Sequence, residues 1–158
     1  MNYKLREMQD VDIPHIVEGE QNIFGTTLGY ELLYTELHLN PYAHYFVLEI
    51  DQKVCGYIGL WINENTEIIN FYIDKEYQGN GFGKMMLDFV IRLSKLCKAN
   101  SISLEVRESN NRAILLYEKY GFMKMHIRKK YYHDGEDAIV MVKKLEVTND
   151  RIRSRNKL

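Results

Sequence analysis

Three glycines at alternate positions form the segment whose spacing most directly indicates ligand binding. They are Gly79, Gly81 and Gly83, in the sequence Gln78-Gly79-Asn80-Gly81-Phe82-Gly83. Glycines let the backbone approach a ligand closely and turn several N–H groups the same way, and the N-terminus of a following helix adds partial positive charge. The segment therefore predicts a cradle for a pyrophosphate group, to which Lys84 could add a charge. A tight strand-to-helix connection without a ligand is the alternative that the glycines alone leave open.

Two common phosphate-binding motifs do not fit this segment. A dinucleotide fingerprint of the form GxGxxG that starts at Gly79 would need glycine at the position of Lys84. A P-loop that ends in Gly83-Lys84 would need glycine at Gln78 and serine or threonine at Met85. The pattern that remains is Gln-x-x-Gly-x-Gly.

The segments on either side place this loop between a strand and a helix. Glu67 to Ile73 is rich in apolar residues, and strand-breaking residues follow from Asp74 onward. After the loop, apolar side chains recur at helical spacing for about four turns, which predicts a long amphipathic helix. Those side chains are Phe82, Met85, Met86, Phe89, Val90, Leu93, Leu96 and Cys97. The loop therefore leaves a strand and enters a helix.

The rest of the chain mixes strands and helices. Before the loop we predict a strand, two helices and a hairpin: Tyr3 to Arg6, Asp12 to Ile23, Tyr30 to Leu37, and the paired strands Tyr45 to Ile50 and Val54 to Ile62. After the long helix we predict a strand, a short helix and two final strands: Ser101 to Val106, Ala113 to Tyr120, Met123 to Lys130 and Ala138 to Lys143. Gly121 is expected to close the short helix in the left-handed conformation.

Length and composition indicate one domain. The chain has 158 residues, 46% of them apolar, which suits a single core and is too little for two domains. It shows no export signal or membrane span, and Cys55 and Cys97 lack the spacing of a metal site or a disulfide framework. A net charge of −1 gives no field that would attract a membrane or nucleic acid. We expect a cytoplasmic protein with one domain over residues 1–147 and a basic tail over residues 148–158.

The pattern Gln-x-x-Gly-x-Gly between a strand and a helix resembles the signature of the GNAT acetyltransferase superfamily. The resemblance implies a mixed α/β (α+β) fold, in which a mostly antiparallel sheet of about six to seven strands is flanked by about four helices. It also implies acetyl-CoA as co-substrate, bound in a cleft between the fourth and fifth strands. The backbone of Phe71, Tyr72 and Ile73 would pair with the pantetheine arm, and N–H groups near Tyr72 and Ile73 could polarise the thioester carbonyl. The pyrophosphate would be held by Gln78, Gly79, Asn80, Gly81, Phe82, Gly83 and Lys84.

A string of short matches in the second half of the chain sharpens this resemblance. The matches are Leu104-Glu105-Val106-Arg107, Ser109-Asn110, Ala113-Ile114, Leu116-Tyr117, Gly121-Phe122, Arg128, Tyr131-Tyr132, Glu136-Asp137-Ala138 and Met141. As a set they resemble the ribosomal-protein-alanine N-acetyltransferases, the RimI type of the superfamily. This resemblance implies an enzyme that acetylates the N-terminal α-amine of a protein, such as the N-terminal alanine of a small-subunit ribosomal protein.

The implied reaction needs a neutral amine, stabilisation of the charge on the carbonyl oxygen, and a proton for the departing CoA thiolate. The resemblance assigns Glu105 as the general base, which takes the ammonium proton directly or through water, and Tyr117 as the general acid. It also places Asn110 against the cofactor. Each side chain also has a purely structural interpretation. Glu105 could pair with Arg107, Tyr117 belongs to the apolar stripe of its helix, and Asn110 could cap that helix.

Two further features concern the acetyl acceptor. Glu20 and Phe24 match a family motif that continues with a Pro-Trp pair near the acceptor site, whereas this chain has Gly25-Thr26-Thr27 there. Tyr131 and Tyr132 are expected to alternate faces on a strand, so that at least one should face solvent or the cleft, where an aromatic wall could hold a peptide. Ordinary cross-strand packing is the alternative for this pair.

Other functions remain open at this point. The acceptor could be a small amine or a lysine side chain, or the chain could be a non-catalytic module that senses acetyl-CoA. A catalytically silent module would need neither Glu105 nor Tyr117, which favours an enzyme. No metal site is predicted, because His126 and His133 lack partners at ligand spacing.

Overall fold

A computed structural model describes residues 1–146 of the chain. Its strands are β1 (Tyr3–Glu7), β2 (Ala43–Ile50), β3 (Lys53–Ile62), β4 (Thr66–Ile73), β5 (Ser101–Arg107), β6 (Met123–Arg128) and β7 (Ala138–Lys144). Its helices are α1 (Ile13–Phe24), α2 (Tyr30–Leu39), α3 (Phe82–Leu96) and α4 (Asn111–Lys119), with short 3₁₀ turns at Asp10–Asp12 and Lys75–Tyr77. The basic tail predicted for residues 148–158 lies outside the described residues.

The helix ends follow local signals in the sequence. α1 carries proline in its first turn, where the missing N–H has no partner to lose, and it ends at Gly25, whose φ of 73° is left-handed. α4 is followed by Gly121 with a φ of 88°, as predicted. Each predicted strand and helix is found within two residues of its expected bounds. Over residues 1–146, no helix combines the length and hydrophobicity that crossing a membrane requires.

The seven strands form one mixed sheet in the order β1-β2-β3-β4-β5-β7-β6. All neighbouring strands are antiparallel except β4 and β5, which are parallel and are connected through α3. The predicted fold class is therefore confirmed: a mostly antiparallel sheet of seven strands with four helices.

Helices cover the two faces of the sheet with separate cores. On one face, α3 and α4 pack on the sheet through residues that include Met86, Val90 and Ile114. On the other face, α1 and α2 pack on β2, β3 and β4 through residues that include Ile16 and Leu33. We call these the α3/α4 face and the α1/α2 face. The alternation of side chains along a strand assigns each residue to one of them.

β4 and β5 separate soon after they begin. Their pairing is confined to Thr66 with Ile102 and Glu67 with Ser103, at the N-terminal ends of both strands. Beyond this point the edge of β4 that faces β5 has no strand partner. The sheet therefore contains a gap in its centre, and the gap joins the two faces.

A bulge in β4 decides which side chains reach the α1/α2 face. Gly59 pairs with Asn70 and Leu60 pairs with Ile68, so Ile69 is an extra residue in β4. An extra residue reverses the alternation of side chains. Ile68 consequently belongs to the core on the α3/α4 face, whereas Tyr72 packs on the α1/α2 face.

The segment with Tyr131 and Tyr132 is not part of a strand, contrary to the expectation that the two side chains alternate on one. β6 ends at Arg128, and Lys130 has a left-handed φ of 51°. Asp137 Oδ1 accepts a hydrogen bond from the N–H of Lys130 at 2.8 Å, which stabilises the turn. The two tyrosines therefore lie in the loop between β6 and β7, and their directions are set by the turn and not by strand pleating.

Gly19 lets α1 lie close to Tyr72. A methyl group added at Gly19 would lie 1.9 Å from Tyr72 Oη, so Tyr72 or α1 would have to move. Overpacking costs about 1–3 kcal/mol, while alanine improves the helix by about 1 kcal/mol over glycine. Because this clash is severe, we take the overpacking cost near the upper end of its range. After the helix-propensity gain is subtracted, we expect Gly19→Ala to lower the free energy of unfolding by about 2 kcal/mol.

Denaturant unfolding followed by circular dichroism measures this effect. Glu18→Ala is the matched control, because Glu18 is the exposed neighbour on the same helix and exposed substitutions usually change stability by less than about 0.5 kcal/mol. An unchanged unfolding midpoint for Gly19→Ala would show that Tyr72 is not held in place by α1.

Candidate active site

A cleft of about 470 Å³ lies beside the free edge of β4, where β4 has separated from β5. Ile23 and Phe24 line it from the α1/α2 face, and Leu116 and Tyr117 line it from the α3/α4 face. The cleft therefore passes through the sheet. Its other lining residues are Phe71, Tyr72, Ile73, Tyr77, Gln78, Gly79, Gly81, Gly83, Lys84, Asn110, Arg112 and Ala113.

The glycine loop forms one end of the cleft and has the backbone geometry of an anion cradle. Gly79 and Gly81 have φ values of 79° and 86°, which other residues adopt at a cost, and Gly81 directly precedes the first residue of α3. Gln78 Nε2 donates to the carbonyl oxygen of Ile73 at 2.8 Å, and this bond ties the loop to the end of β4. The N–H groups at the start of α3 have no helical acceptor and are available to a phosphate.

Two of the residues predicted for the cradle do not line the cleft with their side chains. The Phe82 side chain is buried in the core on the α3/α4 face. Asn80 Nδ2 donates to the carbonyl oxygens of Tyr77 and Gln78, at 3.1 and 3.3 Å, and so closes the loop from within. These two side chains shape the cradle, and only their backbone could reach a ligand.

The free edge of β4 supplies backbone groups to the cleft. The N–H of Asp74 donates to Cys55 of β3, and neighbouring residues of a strand direct their N–H groups to opposite sides. The N–H of Ile73 therefore points into the gap, and that of Tyr72 points toward β3. Of the two N–H groups expected to polarise a carbonyl, geometry favours that of Ile73. An extended pantetheine arm fits such an edge, because it carries amides that can pair with a strand.

The first turn of α4 adds Asn110 and Arg112 to the cleft. Asn110 Oδ1 accepts a hydrogen bond from the N–H of Ala113 at 3.2 Å, so Asn110 caps α4 and also lines the cleft. Arg112 was not predicted as a site residue, yet its Nη2 lies 3.7 Å from where a methyl group on Gly79 would stand. An arginine beside a glycine cradle provides a charged donor for a phosphate. Its position two residues after the predicted Asn110 was the signal available in the sequence.

Tyr117 is largely buried in α4, with 9% of its surface exposed, and it lines the cleft. Burial raises the pKa of Tyr117 above the ordinary value of 10, because a phenolate would lose its hydration. The phenol is therefore protonated throughout the neutral range. A buried phenol whose ring packs on Phe122 and whose side chain borders the cleft can hold a proton at a fixed place.

Glu105 lies on the opposite face of the sheet from Tyr117. Its neighbours Leu104 and Val106 are buried in the core on the α3/α4 face, so the Glu105 side chain points to the α1/α2 face. There it forms an ion pair with Arg128, with Nε and Oε1 3.0 Å apart. The sequence-based alternative partner, Arg107, instead pairs with Asp134 and Glu136. Glu105 does not line the cleft described above.

The β6–β7 loop lies beside Glu105. A hydrogen bond to Glu105 raises the pKa of Tyr131, and Tyr132 lies under the Arg107 guanidinium, 4.0 Å from its ring centre. Burial raises the pKa of Tyr132 to about 12. Glu136 accepts hydrogen bonds from the N–H and hydroxyl of Ser109, which fastens this loop to the segment that leads into α4. These contacts hold the β6–β7 loop in place, so that it forms a wall on the α1/α2 face of the sheet.

Among residues 1–146, no group of three or more histidine, cysteine, aspartate or glutamate side chains is arranged to hold a metal ion. The site is instead a cleft through a mixed sheet, with a glycine cradle at a helix N-terminus and a free strand edge. The profile of the acetyltransferase (GNAT) family matches residues 12–122, and the chain belongs to this family. It is an acetyl-CoA-dependent N-acetyltransferase.

Individual proteins that are similar to this chain show which types of N-acetyltransferase it resembles. A candidate ribosomal protein bS18-alanine N-acetyltransferase of Bacillus subtilis is 42% identical over 139 residues, which cover 87% of this chain and 92% of the relative. An N-alpha-acetyltransferase of Sulfurisphaera tokodaii is 30% identical over 154 residues, which cover 88% of this chain and 91% of the relative. The crystal structure of the ribosomal-protein-S18-alanine N-acetyltransferase from Escherichia coli superposes with a TM-score of 0.85 at 25% identity, covering 94% of this chain and 97% of that one.

Arg112 provides a direct test of the cradle. A hydrogen bond to a charged group contributes about 1.5–3 kcal/mol, and 1.4 kcal/mol corresponds to about a tenfold change in affinity. We expect Arg112→Ala to raise the KM for acetyl-CoA about tenfold and to weaken the salt dependence of that KM. Steady-state kinetics at two salt concentrations measure both effects.

Arg92→Ala is the matched control for this experiment. Arg92 is an exposed arginine on α3 that does not line the cleft, so its removal changes the net charge equally. If the two variants change the KM to the same extent, Arg112 acts only through the overall charge of the protein.

Proposed function

We propose that this enzyme transfers the acetyl group of acetyl-CoA to the N-terminal α-amine of a protein, and that the acceptor is the N-terminal alanine of a small-subunit ribosomal protein. The observation that carries the proposal is the 42% identity to the Bacillus subtilis relative over nearly the whole of both chains. The relative from Sulfurisphaera tokodaii is named for α-amine acetylation as well, which supports the same type of acceptor.

The cleft through the sheet supports direct transfer between two substrates. The cradle and Tyr117 lie on the α3/α4 face, whereas Glu105 and the β6–β7 loop lie on the α1/α2 face. A thioester that enters from the first face can meet an amine that enters from the second. No covalent enzyme intermediate is needed when both substrates reach the gap together.

The proposed step moves two protons in opposite directions. The acceptor ammonium loses a proton to Glu105, directly or through a water, since Glu105 lies outside the cleft. The neutral nitrogen attacks the thioester carbonyl, whose developing negative charge is stabilised by the N–H of Ile73. The C–S bond then breaks, and the CoA sulfur takes a proton from Tyr117. The nitrogen loses its second proton to solvent as it becomes an amide, and exchange with solvent returns a proton to Tyr117 and removes the one on Glu105. The amide and free CoA are the products. Placing the base and the acid on opposite faces matches the sides from which the amine and the thiolate are expected.

Amine basicity favours an α-amine over a lysine. The reference pKa is about 8 for an α-amine and about 10.4 for lysine. Presenting lysine as a neutral nucleophile at a fixed pH therefore costs about 3 kcal/mol more. Glu105 is a single carboxylate that is partly exposed and paired with Arg128. Deprotonating an α-amine therefore requires less from this base than deprotonating a lysine.

Release of CoA with defined acceptors tests the proposal. Peptides of one sequence that begins with alanine and contains one lysine are compared with their N-terminally blocked forms, and a polyamine is added as a third acceptor. We expect kcat/KM to be at least tenfold higher for the free α-amine. Because Cys97 is exposed and would react with thiol reagents, CoA is quantified by chromatography. Equal rates with the blocked peptide would assign lysine, and binding without turnover on any amine would indicate a sensing module.

Mass spectrometry of protein N-termini identifies the natural acceptor. We expect one small-subunit ribosomal protein to lose its N-terminal acetyl group in cells without this enzyme and to regain it when the enzyme is returned. Unchanged acetylation of every ribosomal protein N-terminus would contradict the proposed acceptor.

A further inference from the structure

Glu20 is a fully buried carboxylate in α1, with none of its surface exposed. Four neutral groups donate hydrogen bonds to it: the hydroxyls of Thr27 and Tyr57, the amide of Asn70 and the N–H of Leu28. No lysine, arginine or histidine among residues 1–146 forms an ion pair with it. Burying a carboxylate is costly, and its hydrogen bonds must offset that cost. Such an arrangement fixes the groups that surround it.

One side of this carboxylate holds the connection between α1 and α2. Oε1 accepts from the Thr27 hydroxyl at 2.8 Å and from the N–H of Leu28 at 3.2 Å. The Thr27 oxygen in turn accepts from the N–H of Gly29 at 3.0 Å. The connection directly follows Phe24, which lines the cleft and packs edge-on against Tyr72 with ring centres 6.2 Å apart.

The other side of the carboxylate holds the bulge in β4. Oε2 accepts from Asn70 Nδ2 at 2.5 Å, and Asn70 Oδ1 accepts from the N–H of Phe71 at 3.0 Å. Phe71 and Ile73 direct their N–H groups to the same side of the strand, which is the side of the gap. The N–H of Phe71 is therefore already hydrogen-bonded to Asn70, whereas the N–H of Ile73 remains available to a ligand.

We propose that Glu20 is a positioning residue for the acetyl acceptor. It joins the connection after Phe24 to the β4 bulge, so the wall of the cleft on the α1/α2 face keeps one shape. The glycine cradle lies on the other face, and no hydrogen bond joins it to the contacts that Thr27 makes with Glu20 and Gly29, so loss of these contacts changes acceptor binding more than acetyl-CoA binding. The inference rests on the proposed function, because it assigns the α1/α2 face to the acceptor.

Thr27 allows the network to be cut without removing the buried charge. Thr27→Val keeps the shape of the side chain and removes the hydroxyl, whereas Thr27→Ser keeps the hydroxyl. Tyr57→Phe is the matched control, because it removes a donor to the same carboxylate without touching the connection after Phe24. Glu20→Gln completes the set, since the amide keeps the size of the side chain and replaces one acceptor oxygen by a donor.

We expect Thr27→Val to raise the acceptor KM about fivefold to tenfold and to change kcat and the KM for acetyl-CoA less than twofold. Thr27→Ser and Tyr57→Phe should leave all three within twofold, and Glu20→Gln should exceed Thr27→Val in the acceptor KM. Hydrogen exchange of the amides in residues 25–29 should accelerate in Thr27→Val and Glu20→Gln only. An equal change in both KM values, or accelerated exchange without a change in acceptor KM, would overturn the proposal.

The same measurements separate this inference from the proposed function. If the wild-type enzyme shows no turnover with any amine, the proposed function fails, and the exchange data still report whether the network holds the connection. If the wild-type enzyme is active and Thr27→Val has wild-type kinetics, the positioning role fails while the function stands. Should Glu20→Gln not fold, Thr27→Val and Thr27→Ser decide the question alone.

Discussion

Replacing Tyr117 by phenylalanine is expected to lower kcat about 10²- to 10³-fold while the affinity for acetyl-CoA stays within twofold. General acids contribute about 10²–10⁴-fold to rate, and the substitution removes only the hydroxyl that would protonate the CoA thiolate. The ring, which packs against Phe122 and the core, is retained. Stopped-flow turnover and calorimetric titration with acetyl-CoA measure the two quantities separately.

The pH dependence provides a second measurement of the same role. Burial raises the pKa of Tyr117 above its ordinary value of 10, so the proton is present at all pH values below 10. The kcat of the wild-type enzyme should therefore not fall between pH 8 and 10 through loss of this proton. Tyr42→Phe, an exposed tyrosine outside the cleft, serves as the control. Wild-type kcat in Tyr117→Phe would remove the hydroxyl from the mechanism.

The second large effect is expected for Glu105→Gln, which should lower kcat/KM about 10²-fold at neutral pH. The amide has nearly the same shape as the carboxylate but cannot accept the ammonium proton. The loss should also become smaller at alkaline pH, where more of the amine is already neutral in solution and needs no base. Kinetics across the pH range with an α-amine peptide measure both effects.

Arg128→Gln separates the role of Glu105 as a base from its role in an ion pair. Both substitutions remove the ion pair between Arg128 and Glu105. Half of the Arg128 side chain is exposed, so the pair contributes at most about 1 kcal/mol to stability. We expect Arg128→Gln to retain activity within about fivefold, because the carboxylate remains. Similar losses in the two variants would mean that the ion pair, and not proton transfer, is what Glu105 contributes.

Much of the fold could be predicted because its signals are local. Helix spacing, the proline in the first turn of α1 and the left-handed glycine after α4 depend only on near neighbours along the chain. The segment with Tyr131 and Tyr132 was predicted wrongly because its conformation depends on Asp137, whose carboxylate holds the turn at Lys130 from seven residues away. Apolar and aromatic content there is equally compatible with a strand.

The residues of the candidate site also differ in whether local sequence signals or only the tertiary structure identifies them. The glycine cradle was predicted from residue types and spacing, and Asn110 and Tyr117 were predicted from the family resemblance. The structure brings the glycine loop, Asn110 and Tyr117 to one cleft. Arg112 was missed because an arginine in a helical first turn is ordinary in sequence, and only its approach to Gly79 distinguishes it. The partner of Glu105 was also hidden, because Arg107 is near in sequence whereas Arg128 is brought close by the β5-β7-β6 pairing.

The sequence by itself determined the order of elements, the glycine loop between β4 and α3, and the family, because each depends on short patterns of glycine, apolar and polar residues. Only the tertiary structure decided how the site is arranged. β4 and β5 pair at just two positions and then separate, which opens the cleft between the faces, and the bulge at Ile69 turns Asn70 toward Glu20. Contacts between residues 20 and 70 leave no local trace, because 50 residues separate them along the chain.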